Sequence, residues 1–171
     1  MERIMIIGCG GSGKSTLARQ LGEKTGLPVV HLDKLFWHPG WVESTKEEID
    51  KKIMEAMAKS QWIIDGNYNR TLPKRLEYCD TVIYLDFSTA ACLLGVAKRV
   101  LTTYGHVRPD MAEGCPERLD LEFLKWVYHY NGKHRNRYYE LLGNLEGKQV
   151  YILKNRRQVK RFLEQIGGNN G

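Results

Sequence analysis

The sequence predicts an α/β fold in which a parallel sheet of five strands is covered by helices on both faces. Short apolar segments alternate along the chain with longer segments whose apolar residues recur at helical spacing. A glycine-rich turn directly follows the first apolar segment, as in nucleotide-binding α/β proteins. The chain has 171 residues, which fits a single domain spanning residues 1–171.

The five strands are predicted from short apolar runs that end at polar residues or glycine. In chain order they lie at residues 4–7, 29–32, 62–64, 81–85 and 149–153. The second, third and fourth runs are followed by Asp33, Asp65 and Asp86. Because strands separated by helices are joined by right-handed crossovers, these strands are expected to be parallel.

The helices are predicted from apolar residues three and four positions apart and from residues that begin or end helices. They lie at residues 13–25, 44–59, 88–100, 121–142 and 157–166, and a polar Gly-Asn tail follows the last. Gly26 and Pro28 end the first helix, residues 44–47 form a Ser-x-x-Glu capping box for the second, and Ser88 caps the third.

Two segments show neither helical nor strand periodicity and are expected to be functional loops. Residues 34–43 hold three aromatic residues and a Pro-Gly pair, and residues 104–120 hold two glycines, two prolines and two arginines. The second segment is expected to form a helical lid insertion over the site. Cys115 and His106 are too few ligands for a structural zinc site in that lid.

The net charge of +6 favours an anionic partner such as a nucleotide, a phosphorylated small molecule or a nucleic acid. No apolar run approaches the roughly 20 residues that span a bilayer, so no membrane partner is expected. The four cysteines include no C-x-x-C pair, which favours reduced thiols over a disulfide framework. We expect a cytoplasmic protein that is a monomer or a homodimer.

The turn after the first strand matches a phosphate-binding loop. Residues 8–15 read Gly-Cys-Gly-Gly-Ser-Gly-Lys-Ser. Glycines let backbone N–H groups point at phosphates, the lysine reaches the β- and γ-phosphates, and the next hydroxyl binds Mg²⁺. We therefore expect a three-layer P-loop NTPase fold with ATP and Mg²⁺ as cofactors. The residues expected to bind the nucleotide are Gly8, Gly10, Gly11, Ser12, Gly13, Lys14, Ser15 and Thr16.

Residues 8–13 also fit the dinucleotide fingerprint G-x-G-x-x-G, with Asp33 at the distance of a ribose-binding carboxylate. In a dinucleotide site the residues after the third glycine only begin the helix. Here Lys14 and Ser15 place a cation and a hydroxyl at the phosphates, so the triphosphate interpretation accounts for more residues.

Carboxylates at the strand ends are candidates for the metal and the substrate. Asp65 is expected to order water ligands of Mg²⁺ together with Ser15, because an Asp-Gly turn there lets the backbone approach a ligand. Asp86 is the alternative, although Asp-Phe-Ser also fits a turn and helix cap. Asp33 is expected to accept a proton from a substrate hydroxyl or to bind the substrate, with a capping role as its alternative.

An acceptor pocket is expected close behind Asp33, after the second strand. Phe36, Trp37 and Trp41 would form its aromatic wall, although at least one of them is expected to pack beneath its own loop. Gly66 would admit the acceptor, and Arg70 would bind its anionic group.

Three arginines are expected to act in catalysis from the lid. Arg99, Arg108 and Arg118 flank it or lie within it, where guanidinium groups could close over the phosphates as arginine fingers and act with Lys14. A solvated basic face is the alternative for each of them.

These segments, taken in order, resemble the adenylate-kinase and shikimate-kinase group of small P-loop kinases. The motifs Leu32-Asp33, residues 37–41 (Trp-His-Pro-Gly-Trp) and residues 62–68 (Trp-Ile-Ile-Asp-Gly-Asn-Tyr) further resemble bacterial adenylate-kinase-like proteins labelled DNA topology modulation proteins, FlaR-related. The resemblance implies sheet order 2-3-1-4-5, an acceptor site between strands two and three, and a closing lid. The sequence departs from nucleoside-monophosphate kinases in having residues 67–69 (Asn-Tyr-Asn) before Arg70 and no proline there.

Two functions are therefore considered. The first is an ATP-dependent kinase that transfers the γ-phosphoryl group to a small-molecule acceptor, either nucleotide-like or another metabolite. The alternative is a nucleotide-regulated DNA-binding protein, which the family label and the positive charge suggest. No helix-turn-helix signature is present and the basic residues are scattered, so a nucleic-acid partner is disfavoured without being excluded.

Overall fold

A computed structural model describes residues 1–168 and contains one five-stranded parallel sheet and a separate two-stranded hairpin. The strands are β1 (Arg3–Gly8), β2 (Val29–His31), β3 (Trp37–His38), β4 (Val42–Glu43), β5 (Trp62–Asp65), β6 (Thr81–Leu85) and β7 (Gln149–Leu153). The sheet order is β2-β5-β1-β6-β7. Numbered among themselves, the five sheet strands follow the order 2-3-1-4-5, so the predicted order is confirmed. Residues 169–171, part of the predicted polar tail, lie outside the described residues.

Seven helices pack on this sheet or flank it within the described residues. They are α1 (Lys14–Thr25), α2 (Leu32–Phe36), α3 (Lys46–Met57), α4 (Leu72–Tyr78), α5 (Thr89–Thr103), α6 (Leu121–Gly143) and α7 (Arg156–Gly168). None of them is both long and apolar enough to cross a membrane. The fold class predicted from the alternating pattern is confirmed.

The central strands form the hydrophobic core because both faces of the sheet are covered. Every side chain of residues 4–7 in β1 and of residues 62–64 in β5 is buried. Burial on both faces explains why these strands read as continuous apolar runs rather than alternating patterns. The carboxyl ends of β1, β2 and β5 meet at one edge of the sheet.

The cap predicted for α3 lies one residue later than expected. The side chain of Thr45 accepts a hydrogen bond from the backbone N–H of Glu48 at 3.2 Å, so Thr45 is the N-cap. Ser44 instead donates to the carbonyl oxygen of Leu35 at 3.1 Å. A Ser-Thr pair offers two capping hydroxyls, and the structure uses the second.

The prediction that residues 34–43 form a loop is wrong. Residues up to Phe36 belong to α2, and β3 pairs antiparallel with β4 around a turn that contains Gly40 and Trp41. Trp41 has φ 63°, a left-handed conformation that is uncommon for a bulky side chain. Strands of two residues are too short to produce a readable alternation.

The predicted lid, residues 104–120, contains no helix and in that respect differs from the expectation. It is an irregular segment between α5 and α6, tied across its base by a bridge between Tyr104 and Glu117. Its tip packs on the β3–β4 hairpin, where the backbone N–H of Gly40 donates to the carbonyl of Gly114 at 2.9 Å. Met111, Ala112 and Cys115 form a small apolar cluster there with Trp37 and Trp41. The lid and hairpin thus form one continuous cover, residues 37–43 with 104–120.

Candidate active site

A cleft of about 970 Å³ lies between the sheet edge and this cover. Most of the predicted site residues line it: Gly10, Gly11, Gly13, Lys14, Ser15, Thr16, Asp33, Phe36, Trp37, Trp41, Gly66, Arg99, Arg108 and Arg118. Gly8, Ser12, Asp65 and Arg70 do not line it. The topology therefore brings together residues that are up to 108 positions apart, from Gly10 to Arg118.

The phosphate loop wraps around the first turn of α1. Gly13, the residue before α1, has φ 96°, a left-handed conformation that suits glycine. The Lys14 ammonium donates to the carbonyl oxygen of Cys9 at 2.9 Å, which holds it across the loop. The Ser12 hydroxyl donates to the same carbonyl at 2.7 Å and faces inward, so Ser12 stabilises the loop rather than lining the cleft.

Helix α5 contacts the phosphate loop backbone to backbone. A Cβ atom on Gly95 would lie 2.1 Å from the carbonyl oxygen of Gly11, and one on Gly11 would lie 2.2 Å from the carbonyl oxygen of Cys92. Both distances are far inside van der Waals contact, so this approach requires glycine on each side. Gly95 was missed by sequence reasoning, because a single glycine in a helix carries no signal without the packing partner.

Ser15 and Asp65 form the predicted metal pair. The Ser15 hydroxyl donates to Oδ2 of Asp65 at 2.7 Å, and Asp65 is only 3% exposed. The Nδ1 atom of His31 contacts the other carboxylate oxygen, Oδ1. His31 was missed by sequence reasoning, although the parallel register of β2 and β5 pairs it with Asp65.

The donor set of this pair fits Mg²⁺. A hydroxyl and a carboxylate are hard oxygen ligands, and Mg²⁺ sites in phosphotransferases combine one or two of these with phosphate oxygens and water. Within residues 1–168 no group of three or more His, Cys, Asp or Glu could hold a metal by itself. A metal at Ser15 and Asp65 would therefore take its remaining ligands from the phosphates and water.

Asp86, the alternative carboxylate, is engaged by α6. Its Oδ2 atom accepts hydrogen bonds from Arg135 and from the hydroxyl of Tyr139, both at 2.7 Å. It is 2% exposed and does not line the cleft. Asp86 therefore links strand β6 to helix α6 through Arg135 and Tyr139.

Asp33 lies in the first turn of α2 and presents its carboxylate to the cleft. Its side chain reaches solvent within the cleft, but the surrounding walls limit its hydration and raise its pKa. The charge of Lys14 opposes this rise, and the charge of Asp65 adds to it. A carboxylate with a raised pKa beside a cation is suited to accept a proton.

The aromatic residues form a connected wall opposite the phosphate loop. The ring of Phe36 lies 4.9 Å from that of Trp37 in an edge-to-face arrangement, and Trp37 lies 5.4 Å from Trp41. Tyr68 extends this wall, 5.8 Å from Phe36, and was not predicted. Its position just beyond the end of β5, two residues after Gly66, could have indicated that Tyr68 lines the cleft.

Residues 66–69, named the acceptor segment after the role expected for Gly66, are tied to the phosphate loop by the side chain of Asn67. It donates to the carbonyl of Gly8 at 2.7 Å and accepts from the N–H of Gly8 at 3.1 Å. Gly8 itself ends β1 beside Leu85 of β6, so it shapes the loop from behind without lining the cleft.

The three predicted arginines all line the cleft, and acids balance each of them. Arg99 and Arg108 both place Nε 2.9 Å from the same oxygen of Glu117, and Arg108 also pairs with Asp110 at 2.6 Å. Burial lowers the pKa of Arg99, and Arg108 lowers it further. Arg118 lies over the ring of Trp41 at 4.9 Å and is 3.7 Å from Asp120.

The expectation that Arg70 faces the acceptor is wrong in this structure. Its guanidinium pairs with Asp50 on α3 and donates to the carbonyl of Lys46 at 3.2 Å. Neither Arg70 nor Asp50 lines the cleft, because Arg70 is engaged by groups on α3 instead.

Arg156 is a further cleft residue that the sequence did not reveal. It begins α7, donates to the carbonyl of Gly11 at 3.4 Å and lies 5.5 Å from the ring of Phe87. Its place three residues after the end of β7, at the carboxyl edge of the sheet, could have indicated that Arg156 reaches the cleft.

Known proteins resemble this chain in sequence and in fold. The family model described as AAA domain matches residues 4–89, which is half of the chain. Adenylate kinase from Thermotoga neapolitana is 32% identical over 80 residues, covering 47% of this chain and 36% of that protein. Adenylate kinase from Thermotoga maritima is 31% identical over the same length. The matched region thus spans about a third of these curated relatives.

Solved structures of small kinases share the fold across almost the whole chain. Shikimate kinase from Bacteroides thetaiotaomicron superposes with a TM-score of 0.59 at 16% identity, covering 98% of this chain and 97% of that one. Deoxyadenosine kinase from M. mycoides with bound dATP gives 0.55 at 17% identity, covering 95% and 98%. The resemblance to small P-loop kinases inferred from the motifs is confirmed at the level of the fold.

Proposed function

The chain belongs to the AAA domain family, and from that premise we propose that it is an ATP-dependent kinase acting on a small-molecule acceptor. The observation that carries the proposal is the hydrogen bond from Ser15 to the buried Asp65, with Ser15 and Lys14 lining the same cleft as the aromatic wall. Phosphoryl transfer needs a phosphate cradle, a metal site, a substrate wall and cations around the transferred group. The cleft supplies residues suited to each of these parts.

The donor triphosphate would lie along the phosphate loop at the N-terminus of α1. Backbone N–H groups of residues 10–16 and the Lys14 ammonium would bind its β- and γ-phosphates. Ser15 and Asp65 would hold Mg²⁺ through the hydroxyl and through ordered water. An ion held there would supply positive charge against the negative charge that develops during transfer.

The acceptor would lie between the aromatic wall and Asp33. Its oxygen forms a new bond to the γ-phosphorus, while the bond from that phosphorus to the β,γ-bridging oxygen breaks and ADP leaves. Where the acceptor is an alcohol, its proton passes to the Asp33 carboxylate. Arg99, Arg108 and Arg118 would place positive charge around the transferred group.

The test is ATP turnover by a Lys14→Ala variant over a panel of nucleosides, nucleotides, sugars and polyols. We expect turnover to fall about 100-fold or more, because a cation that contacts the transferred group is lost. Lys24→Ala is the matched control, because it removes an exposed lysine from the last turn of the same helix. Circular dichroism establishes that both variants are folded. Unchanged turnover in Lys14→Ala would contradict the proposal.

A nucleotide-regulated DNA-binding role is the second candidate. The net charge of +6 and the exposed basic residues of α7 favour it. These are Arg156, Arg157, Lys160 and Arg161. Because Arg156 also lines the cleft, nucleotide binding and binding of a polyanion to α7 would compete in this case.

A further inference from the structure

The two walls of the cleft differ in charge. The wall formed by the phosphate loop, α1, α5, the lid and α7 contains three acids, Asp110, Glu117 and Asp120. It also contains all of the lining cations, which are Lys14, Arg19, Arg99, Arg108, Arg118 and Arg156. The acceptor wall is formed by lining residues between positions 32 and 69. It carries two acids, Asp33 and Glu43, and no lysine or arginine. An anionic acceptor placed against that wall would find no cation on it to pair with.

Arg70 directly follows the acceptor segment in the sequence, but its side chain is held away from the cleft. Arg70 has two partners on α3, the Asp50 carboxylate and the carbonyl of Lys46. Turning it into the pocket would break this charge-assisted pair. Among the lid arginines, Arg118 lies closest to the aromatic wall, but it is stacked on Trp41 and lies near Asp120.

The chemistry at Asp33 also distinguishes between acceptor types. An alcohol must lose a proton when its oxygen bonds to phosphorus, so a carboxylate beside it assists the reaction. A phosphate or carboxylate acceptor is already ionised at neutral pH and gains nothing from a second negative charge. The position of Asp33 on the acceptor wall is therefore useful for an alcohol and unfavourable for an anion.

We propose that the acceptor is an uncharged alcohol that carries a flat ring, with a nucleoside as the simplest representative, and not a phosphorylated compound. This rests on the proposed kinase function. The ring would pack on Phe36, Trp37 and Tyr68, which present a continuous aromatic surface. The hydroxyl oxygen would bond to the γ-phosphorus as the bridging oxygen departs with ADP, and its proton would pass to Asp33.

The experiment compares binding of nucleosides and their 5′-monophosphates by isothermal titration calorimetry, without ATP. The members of each pair share ring and sugar and differ only in the phosphate. We expect at least one nucleoside to bind tenfold or more tightly than its monophosphate, with Arg70→Ala leaving both affinities unchanged. The proposal would be overturned if a monophosphate bound more tightly than its nucleoside. It would also be overturned if Arg70→Ala or Arg118→Ala abolished binding of the monophosphate.

A second variant tests whether the Asp50–Arg70 pair keeps anions out. Asp50→Asn removes the carboxylate and keeps the shape, so the freed guanidinium should raise monophosphate affinity about tenfold. No change in that affinity would show that the pair is irrelevant to selectivity and would count against the proposal. If no nucleoside binds at all, the acceptor class is wrong. The kinase proposal is tested separately, by calorimetric titration of ATP into the unmodified protein and into Lys14→Ala. It survives if ATP binds and the variant loses that binding.

Discussion

Replacing Gly95 with alanine should damage nucleotide binding although Gly95 belongs to α5 and not to the phosphate loop. The added Cβ atom would lie 2.1 Å from the carbonyl oxygen of Gly11 and 2.9 Å from its carbonyl carbon. Since a close carbon–oxygen contact is about 3.3 Å, α5 and the phosphate loop must separate by about 1 Å. The clashing atoms belong to backbone, so no side-chain rotation relieves the contact.

The expected magnitude follows from that displacement. Overpacking of this kind costs about 1–3 kcal/mol of stability. A shift of about 1 Å in a group that positions a reacting phosphate can cost about 100-fold in rate. We therefore expect Gly95→Ala to weaken ATP binding and lower turnover by at least tenfold, with a folded protein of modestly reduced stability.

The assay is ATP affinity by calorimetry beside stability by urea unfolding. Gly132→Ala is the matched control, because a Cβ atom added to Gly132 in α6 would meet nothing within 4 Å, and alanine there raises helix propensity. It should leave ATP affinity unchanged and stabilise the protein by up to about 1 kcal/mol. Unaltered ATP affinity in Gly95→Ala would refute the argument that α5 positions the loop.

The metal pair, the acceptor wall, the buried Arg75 and the surface charge each give one further prediction. His31→Ala should raise the Mg²⁺ concentration needed for half-maximal turnover about tenfold, because Asp65 loses a partner that orients it; a magnesium titration measures this. Activity should fall on acidification, because only the carboxylate form of Asp33 accepts a proton. Since the pKa of Asp33 is raised, this fall should occur at a higher pH than the titration of an ordinary aspartate. A pH–rate profile that is the same in Asp33→Asn as in the unmodified protein would contradict this. Arg75→Leu should destabilise the protein by about 3 kcal/mol or more in urea unfolding, because this buried guanidinium donates to three carbonyls of residues 66–68. Duplex DNA should show negligible affinity in a titration at physiological salt, and tight binding there would favour the DNA-binding alternative.

The five-stranded sheet could be predicted from the sequence, because each of its strands is indicated by residues that are contiguous in the chain. Each central strand is an uninterrupted apolar run, and the phosphate loop is a contiguous motif whose glycine conformations follow from residue type. The β3–β4 hairpin was not predictable in this way. Its strands have two residues each, and its position depends on contact with the lid, about 70 residues further along the chain.

The hydrogen-bond and ion-pair partners of the side chains were harder to predict than the elements on which these side chains lie. Arg70 was correctly identified as following the acceptor segment, but its orientation depends on Asp50, which belongs to a different helix. The contact of His31 with Asp65 depends on the register between β2 and β5. Such pairings are decided by competition between nearby charges, and sequence spacing carries no information about which partner is closer.

The phosphate loop is held from three directions, and this constrains how donor and acceptor sites can change. Gly95 on α5 contacts its Gly11 backbone, Arg156 on α7 donates to the same carbonyl, and Asn67 of the acceptor segment makes two hydrogen bonds to Gly8. Because Asn67 adjoins Gly66 and the aromatic wall, a displacement of the loop must also strain the acceptor pocket. Loosening any one contact should therefore alter the affinities for ATP and acceptor together, whereas loss of Lys14 should affect ATP alone.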